Sequence, residues 1–338
     1  DAAGNLIGHA PVWVALSTGG SFGGASVWHP FFSLAGELPQ VGDFNGDGRA
    51  DSFRYKRSTG EWAIDFVDKN NNLHARSGNW SAGWSLFAAD FDGNSLSDLF
   101  LYNQQTGAWT KALSNGLGDF TYFNGSWDPA WNVSVMELNG DGKSDVFLYN
   151  PQTGVWFKGL NTGSGLGEFA YFSGSWSPNW QLFPAELNGD GRTDFFLYNF
   201  STGQWFKATN DGGAGFNYQS GSWSGGWQIY PANFNGDGLS DLFLYSNTTG
   251  AWFAITNTGS GFAYRQGNWS SGWTVNPADF DGNGRSDLFL YNQQTGAWFE
   301  VITQLTGEFG YFSGIWSSGW QVMVTDFNAD RKSDLLLH

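Results

Sequence analysis

The sequence is 338 residues long, carries a formal net charge of -16 and contains no cysteine. This composition excludes disulfide bonds, and since no run of eighteen apolar residues occurs, it offers no candidate membrane-spanning helix. The acidic balance also argues against binding to nucleic acid or anionic membranes. With 49 glycines, 20 tryptophans and 31 phenylalanines but only 14% charged residues, the chain is expected to form short strands and tight turns.

The first predicted elements lie near the N-terminus. The chain begins with DAAGNLIG and no initiator methionine, which is consistent with a mature, signal-processed product or with a trimmed sequence. PVWVALSTGG and SFGGASVW follow, and each reads as a strand next to a glycine-rich turn. Both stretches align with the last two strands of the repeat that follows, so they require partner strands from elsewhere in the chain.

A nine-residue acidic loop then recurs seven times, at intervals of 46 to 49 residues. A period of this length indicates a repeat architecture. Each copy precedes an apolar run such as LFLYN, a Thr-Gly turn, an aromatic strand, a glycine-rich turn and a second aromatic strand, which gives four short strands per unit. In chain order, the seven loops are DFNGDGRAD (43–51), DFDGNSLSD (90–98), ELNGDGKSD (137–145), ELNGDGRTD (186–194), NFNGDGLSD (233–241), DFDGNGRSD (279–287) and DFNADRKSD (326–334).

Four-stranded units repeated around an axis are the blades of a β-propeller. The C-terminal segment supplies the first two strands of a unit and the N-terminal segment the last two, so together they complete one blade and close the ring. The sequence therefore predicts an all-β, seven-bladed β-propeller with four antiparallel strands per blade, a single domain over 1–338. The predicted blades are 32–80, 84–127, 131–176, 180–223, 227–269, 273–316, and 320–338 together with 8–28.

The acidic loops have the pattern of a calcium site. Oxygen-bearing side chains stand at loop positions 1, 3, 5 and 9, and the backbone carbonyl of position 7 can add a further ligand, which suits the six to eight oxygens that Ca²⁺ prefers. An EF-hand is excluded because no Glu stands at position 12 and a strand follows. The predicted ligands are Asp43, Asn45, Asp47, Arg49, Asp51, Asp90, Asp92, Asn94, Leu96, Asp98, Glu137, Asn139, Asp141, Lys143, Asp145, Glu186, Asn188, Asp190, Arg192, Asp194, Asn233, Asn235, Asp237, Leu239, Asp241, Asp279, Asp281, Asn283, Arg285, Asp287, Asp326, Asn328, Asp330, Lys332 and Asp334.

The distribution of charge supports up to seven bound Ca²⁺ ions. Of the 31 acidic residues, 20 lie in the seven loops, so most of the negative charge of the chain is concentrated there. Like charges held close together in a loop repel one another unless a cation is bound. The alternative is that the loops are Asx turns, whose side chains accept hydrogen bonds from backbone amides. Loops 2, 5 and 7 are expected to bind calcium least tightly, because Ser95 and Arg331 replace the usual position-6 glycine and Asn233 weakens the first ligand.

The loop motif resembles the FG-GAP or VCBS repeat of integrin α-chain propellers, whose calcium loops read D-x-[DN]-x-[DN]-G-x-x-D. The chain is also similar to the integrin-like seven-bladed lectins of fungi and bacteria. This resemblance covers nearly the whole chain. It implies sugar sites between neighbouring blades and loops braced by metal.

Two series contain nearly all of the tryptophans. The first series follows the Thr-Gly turn and is predicted to form core between blades: Trp13, Trp62, Trp109, Trp156, Trp205, Trp252 and Trp298. The second series forms pairs on the crossover from one blade to the next: Trp80/Trp84, Trp127/Trp131, Trp176/Trp180, Trp223/Trp227, Trp269/Trp273 and Trp316/Trp320. Indole faces suit the C–H face of a pyranose, so these pairs are the candidate carbohydrate-binding residues. The alternative is that both rings only wedge adjacent blades together, and at least one ring of each pair is expected to be structural.

Blade 1 departs from the other blades, since SFRYK replaces LFLYN and Arg54, Asp65, Asp68, His74 and Arg76 occur there. An Arg54–Asp65 ion pair between adjacent strands is the favoured interpretation. The sequence thus favours a secreted, calcium-binding lectin with glycan or polysaccharide partners. The alternatives are a polysaccharide-active enzyme, such as a lyase with its site on the channel face near blade 1, and a protein-adhesion or scaffold module. The oligomeric state cannot be read from the sequence.

Overall fold

The computed structural model describes residues 9–24, 26–34, 37–67, 72–129, 131–162 and 169–337. These ranges contain 28 strands, arranged in seven four-stranded antiparallel sheets. None of the described residues forms a helix long and apolar enough to cross a membrane. The all-β, seven-bladed propeller predicted from the loop period is therefore confirmed.

Each of blades 1 to 6 is a meander of consecutive strands. Blade 1 contains β3 (Glu37–Gly42), β4 (Asp51–Lys56), β5 (Glu61–Val67) and β6 (Leu73–Asn79). Blade 2 contains β7 (Ser85–Ala89), β8 (Asp98–Tyr102), β9 (Ala108–Ser114) and β10 (Phe120–Ser126). Blade 3 contains β11 (Asn132–Met136), β12 (Asp145–Tyr149), β13 (Val155–Asn161) and β14 (Phe169–Ser175).

The second half of the ring repeats this arrangement. Blade 4 contains β15 (Gln181–Ala185), β16 (Asp194–Tyr198), β17 (Gln204–Asn210) and β18 (Phe216–Ser222). Blade 5 contains β19 (Gln228–Ala232), β20 (Asp241–Tyr245), β21 (Ala251–Asn257) and β22 (Phe262–Asn268). Blade 6 contains β23 (Thr274–Ala278), β24 (Asp287–Tyr291), β25 (Ala297–Thr303) and β26 (Phe309–Ile315).

Blade 7 joins the two ends of the chain. Its strands are β1 (His9–Ala15), β2 (Ser26–Leu34), β27 (Val322–Thr325) and β28 (Asp334–Leu337), in the spatial order β2-β1-β28-β27. Strands β1 and β28 pair antiparallel, with Trp13 opposite Leu337 and Ala15 opposite Leu335. This pairing confirms the predicted ring closure, which covers sheet edges that would otherwise invite association with other chains.

The first strands of neighbouring blades contact one another around the axis, as β3 does with β7 and β19 with β23. Because each first strand runs from the crossover to the acidic loop, the two features lie at opposite ends of the blades. We call the end that carries the acidic loops and the turns between third and fourth strands the loop face. The other end, which carries the Thr-Gly turns and the tryptophan crossovers, is the crossover face.

The core lies in the seams between blades. The second strands β8, β12, β16, β20 and β24 are buried at all five of their residues, because a blade packs on each side of them. Trp156 of blade 3 packs against Phe216 of blade 4 with ring centroids 5.3 Å apart, in one cluster with Phe195. The prediction that the first tryptophan series forms core between blades is therefore confirmed at this seam, where Trp156 is 4% exposed.

Candidate functional site

The first positions of each acidic loop form Asx turns. In loop 1, the Asp43 carboxylate accepts hydrogen bonds from the backbone N–H groups of Gly46 at 2.6 Å and Gly48 at 2.8 Å, and Asn45 Oδ1 accepts one from Asp47 N at 2.9 Å. The same pattern recurs in the other loops, including a 2.6 Å bond from Gly140 N to Glu137 in loop 3. The hydrogen bonds expected of Asx turns, the alternative to calcium sites, are therefore present in these loops.

Position 9 has a different role, because its carboxylate is buried. In loop 3, Asp145 Oδ2 accepts a hydrogen bond from Leu138 N at 2.8 Å, and Oδ1 accepts one from Asn161 N at 2.7 Å. These bonds tie the loop to the end of the third strand of its blade. Burial raises the pKa of Asp145 to about 7 against the opposing effect of these bonds, and the nearby Glu137 raises it further. Burial similarly raises the pKa of the other position-9 carboxylates, to about 7 in Asp51, Asp98 and Asp287 and to about 6 in Asp194 and Asp241.

The donor set of these loops fits a hard cation. Loop 2 brings carboxylate oxygens of Asp90, Asp92 and Asp98 within 4.8 Å of one another, and loop 6 does the same with its three aspartates. A carboxylate oxygen that accepts one amide keeps a second lone pair for a metal. In loop 1, Asp47 Oδ2 is buried and has no hydrogen-bond partner among the described residues. Loops 2 and 6 are the best candidate calcium sites, each with Asp rather than Asn at position 3.

These observations change the order in which the acidic loops are expected to bind calcium. Loop 2 is expected to be weak because Ser95 replaces a glycine, but Ser95 adopts the left-handed backbone itself, with φ of 67°, so the turn keeps its shape. In loop 7, Ala329 and Arg331 do so at φ of 61° and 69°. All three residues are strained there because they lack glycine's freedom, so loop 2 ranks above loop 7 on account of its cluster of three carboxylates.

Successive loops are linked around the ring. Ser144 N donates to the Asp90 carbonyl of the preceding loop at 2.6 Å, and the equivalent backbone bond forms at five further seams, with Ser97, Thr193, Ser240, Ser286 and Ser333 as donors. The side chain of position 7 packs on the position-4 glycine of the preceding loop, as Lys143 does on Gly93. The predicted ligand at position 7 is a carbonyl, so its side chain is free for this contact between blades.

On the crossover face, the first tryptophan of each pair reaches the next blade. Trp127 Nε1 donates to Tyr171 OH of blade 3 at 2.7 Å, and their rings meet edge to face at 6.5 Å. The same bond joins Trp80 to Tyr122, Trp176 to Tyr218, Trp223 to Tyr264, and Trp269 to Tyr311. The sequence analysis missed these tyrosines, although an exposed Tyr two residues after the Phe that begins the fourth strand recurs from blade to blade.

The second tryptophan is mostly structural. Trp180 is 6% exposed, donates from Nε1 to Ser177 Oγ at 2.9 Å, and packs edge-on against Phe206 of its own blade at 5.2 Å. The same serine bond holds Trp84, Trp227 and Trp273. The expectation that one ring of each pair is structural is thus met at these four crossovers.

The crossover between blades 2 and 3 is more open. Asp128 stands where the other crossovers have serine, and Tyr102 OH donates to its carbonyl at 3.4 Å, compared with 2.8 Å from Tyr198 to the equivalent Ser224. Trp131 is accordingly only half-buried. A pocket of about 490 Å³ opens here, lined by Ser126, Trp127, Asp128, Trp131, Leu148, Phe157 and Tyr171.

A smaller pocket of about 130 Å³ occupies the equivalent place between blades 5 and 6. It is lined by Trp269, Ser270, Trp273, Leu290, Phe299 and Tyr311. The structure therefore places both members of two predicted pairs at pockets between blades, each with a tyrosine and a phenylalanine from the following blade.

The pair Trp316/Trp320, between blades 6 and 7, has different surroundings from the other pairs. Trp320 is half-buried and packs with Trp316 against the core cluster that joins these two blades, where Phe22 meets Trp316 edge to face at 6.2 Å. At the positions that supply the aromatic walls of the other pockets, blade 7 has Val14 in place of the phenylalanine and Gly24 in place of the tyrosine. The ring of Trp320 thus contributes to the packing of this seam, and its assignment as a carbohydrate-binding residue stays a prediction.

The unusual residues of blade 1 that the structure describes fall into two groups. Arg54 NH2 contacts Asp65 Oδ2 at 2.8 Å, and both side chains are largely buried, so the predicted ion pair is confirmed. His74 instead stacks on Phe66, with centroids 5.2 Å apart. Asp68 lies outside the described residues.

A cavity of about 500 Å³ adjoins His74 on the loop face. Its lining comes from loop 1, the outer strands of blade 1 and the 114–119 turn of blade 2, and includes Asp47, Phe66, His74, Arg76 and Asp119. Because it lies by the outer strands, it is away from the channel, where the enzyme alternative would place a site.

Comparison with known proteins agrees with this architecture. Residues 137–197 and 233–290 match the FG-GAP-like repeat family. No curated protein matches the chain in sequence. The chain is thus a seven-bladed β-propeller in which these two segments are similar to FG-GAP-like repeats.

Three solved structures share the fold. An Agrocybe aegerita lectin, described for specific recognition of non-reducing terminal N-acetylglucosamine, aligns with a TM-score of 0.69 and 16% identity over 91% of both chains. BBS1N, solved in complex with ARL6DN, aligns with a TM-score of 0.58 and 8% identity over 96% of both chains. A protein from Lactobacillus plantarum aligns with a TM-score of 0.59 and 12% identity, over 92% of this chain and 97% of its own. At these identities the likeness concerns the fold alone.

Proposed function

We propose that this protein binds glycans, without catalysis, in aromatic pockets between its blades on the crossover face. The observation that carries the proposal is the pocket between blades 2 and 3, where Trp127, Trp131, Phe157 and Tyr171 surround about 490 Å³. Its walls combine aromatic faces with the polar edges of Ser126 and Asp128. Apolar walls with a few converging polar groups are typical of small-ligand sites.

A pyranose would use this pocket in two ways. Its C–H face would pack on an indole, while its hydroxyl groups would bond to the Asp128 carboxylate, Ser126 and the phenol of Tyr171. The likeness of the fold to a lectin that recognises non-reducing terminal N-acetylglucosamine makes this sugar the first to test. Since a similar pocket recurs between other blades, clustered glycans would bind more tightly than single sugars through multivalency.

Calcium and secretion belong to the same proposal. We propose that Ca²⁺ binds the acidic loops, first in loops 2 and 6, where three carboxylates lie within 4.8 Å of one another. Carboxylates at this spacing, joined by carbonyl oxygens and water, supply the ligands that Ca²⁺ prefers. Bound calcium would brace the loop face, on the opposite side of the ring from the sugar. A secreted protein would meet calcium at millimolar levels, where sites of modest affinity are filled.

Titration calorimetry with a panel of glycans, including clustered terminal N-acetylglucosamine, tests this function. We expect several similar sites per chain, and we expect Trp131→Ala to weaken the site between blades 2 and 3 by about tenfold, as removal of an aromatic anchor does. Leu305→Ala is the matched control, since Leu305 is 82% exposed in the turn between β25 and β26 on the loop face. Absence of binding to every glycan, or equal affinity in both variants, would contradict the proposal.

One observation favours an enzyme as a second candidate. The cavity on the loop face brings His74, Arg76, Asp47 and Asp119 together around about 500 Å³, a mixture of acidic, basic and imidazole groups. A single polysaccharide site that is lost in both His74→Ala and Arg76→Ala, and kept in Trp131→Ala, would establish this alternative. Binding of a protein but of no glycan would instead indicate an adhesion module.

A further inference from the structure

Glu300 is a buried carboxylate for which the fold provides no partner. It lies in β25 of blade 6 and is 0% exposed. Neither Oε1 nor Oε2 has a hydrogen-bond partner among the described residues. A buried carboxylate without a partner is costly, so this position requires either a cation or a proton.

Three of the six other blades have a lysine at this position, and the other three have the apolar residues Ile64, Ala254 and Ala15. The residue two places after the first-series tryptophan is Lys111 in blade 2, Lys158 in blade 3 and Lys207 in blade 4, and it is Glu300 in blade 6. Each lysine ammonium crosses the seam to an asparagine Oδ1 of the next blade: Asn161 at 3.1 Å, Asn210 at 2.7 Å and Asn257 at 3.1 Å. A positive charge therefore lies in these three seams.

The surroundings of the ammonium are best seen at Lys158. Its Nζ contacts Asn210 Oδ1 at 2.7 Å, the Gly213 carbonyl at 3.1 Å and the Gly215 carbonyl at 2.6 Å, with the Asp211 carboxylate at 3.7 Å. The seam thus forms a cage of neutral and anionic oxygens. Such a cage is also the ligand set of a hard metal cation.

The seam between blades 6 and 7 has the same framework. Ser17 occupies the place of Asn210: its backbone N–H donates to Asp334 Oδ1 at 2.7 Å, as Asn210 N does to Asp194 at 2.6 Å. Ser17 Oγ also donates to the Phe280 carbonyl of the preceding loop, as the Asn210 amide does to Leu138. Blade 7 therefore meets blade 6 in the way that blade 4 meets blade 3.

The charge at this seam is reversed. Burial raises the pKa of Glu300 to about 7, and the nearby carboxylates of Asp287 and Asp281 raise it further. Lys332 packs over Gly282 and Gly19 but, within the described part of the chain, forms no ion pair with Glu300. The seams after blades 2, 3 and 4 hold a lysine ammonium at this position, whereas the seam between blades 6 and 7 holds a carboxylate.

We propose that Glu300 is a ligand of a calcium ion bound in the seam between blades 6 and 7, separate from any ion in the acidic loops. The ion takes the place that a lysine ammonium fills in the seams after blades 2, 3 and 4. Glu300 supplies charge, and the 17–22 turn of blade 7 supplies hydroxyl and carbonyl oxygens. The ion would link the blade formed by the two chain ends to blade 6.

Equilibrium dialysis with ⁴⁵Ca²⁺ tests this site by counting ions per chain. We compare the wild type with Glu300→Gln, with Glu300→Lys, with the loop-6 variant Asp279→Asn/Asp281→Asn, and with the combination of the loop-6 variant and Glu300→Gln. Both Glu300 variants should bind one ion fewer than the wild type. The combination should bind one ion fewer than the loop-6 variant alone.

Glu300→Lys adds a second measurement, because it restores the ammonium of blades 2 to 4. In excess chelator it should melt at a higher temperature than the wild type, since the lysine replaces the missing ion. An unchanged ion count in both Glu300 variants would overturn the proposal. It would also be overturned if the combination lost no more ions than the loop-6 variant, since Glu300 would then serve the loop-6 ion. A loss of ions confined to Glu300 variants would support this site even if the loops bind no calcium.

Discussion

The loop face and the crossover face of the propeller differ in how their polar groups are satisfied. On the loop face, carboxylates bond to backbone amides and successive loops bond to one another, as Asp145 does to Leu138 and Ser144 to Asp90. On the crossover face, side-chain hydrogen bonds such as the one from Trp127 to Tyr171 join neighbouring blades beside a pocket. The loop face holds the ring together, and the crossover face presents surface to a ligand.

This difference sets the expected consequences of substitution. A change on the loop face removes partners from buried groups and should reduce stability. A change on the crossover face mostly removes contacts that solvent or a ligand can replace, so it should alter binding more than folding. The predictions that follow test this division, beginning with the largest effect on stability.

Chelation of calcium should have the largest effect, because it acts on several loops together. A site filled at a hundred times its dissociation constant stabilises the folded state by about 2.7 kcal/mol, so loss of ions from loops 2 and 6 alone would cost about 5 kcal/mol. Thermal melts with and without chelator measure this loss. Glycan affinity should fall much less at temperatures where the chain stays folded. An unchanged melting temperature after metal analysis proves removal would refute calcium as the brace.

Asp145→Ala should cost about 2–4 kcal/mol, because it leaves the buried amides of Leu138 and Asn161 without partners. Denaturant unfolding in excess chelator measures this effect apart from loss of a metal ligand. The matched control is Asp128→Ala on the crossover face, whose exposed side chain should change stability by no more than about 0.5 kcal/mol. If the two substitutions reduced the free energy of unfolding equally, the two faces would not differ in their contribution to stability.

Lys158 should make stability depend on pH above neutrality. Burial lowers the pKa of its ammonium from 10.5 to about 8, although the Asp211 carboxylate opposes this. The unfolded chain therefore binds more protons than the folded chain between pH 8 and 10.5, and the free energy of unfolding rises with pH in that window. Lys158→Met should reduce this rise by about 1–3 kcal/mol in denaturant titrations.

The control for this pH dependence is Lys56→Met in blade 1, where the lysine is partly exposed and 3.9 Å from Glu61. It should leave the rise between pH 8 and 10.5 as in the wild type. If Lys158→Met also keeps the full rise, the ammonium at this seam is not penalised by burial, and the description of the seam as a charged cage is wrong.

Much of the fold could be predicted because each blade has a local sequence pattern, and that pattern recurs seven times. A loop such as 137–145 gives the period, and the half-unit ending at 337 shows how the ring closes. The partners across a seam could not be predicted in the same way. Tyr171 bonds to Trp127, 44 residues earlier, and that choice depends on the twist between blades rather than on local pattern. Trp320 repeats the local pattern of Trp131, but the positions equivalent to Phe157 and Tyr171 are Val14 and Gly24 in blade 7.

The acidic loops show a second limit. Positions 1 and 9 look equivalent as oxygen donors, but Asp43 faces the turn amides while Asp51 is buried beneath the loop, 2% exposed. Only the register of the second strand distinguishes them. Glu300 was visible in the sequence as a departure from Lys111, Lys158 and Lys207, but its meaning required the lysine contacts across the seam.

The smallest effect on stability is expected at the tryptophan–tyrosine bonds of the crossover face. Tyr171→Phe removes the 2.7 Å bond from Trp127 Nε1 but leaves the ring contact, so it should cost about 0.5–1 kcal/mol in thermal melts. Tyr122→Phe is the matched control, because its bond from Trp80 is longer, at 3.2 Å, and its exposure is similar, 43% against 44%. It should cost less. If the pocket between blades 2 and 3 binds glycans, Tyr171→Phe should also weaken that binding several-fold while Tyr122→Phe leaves that pocket unaltered, because the two phenols belong to different seams. A larger loss of stability from Tyr171→Phe than from Asp145→Ala would mean that the crossover face, rather than the loop face, holds the ring together.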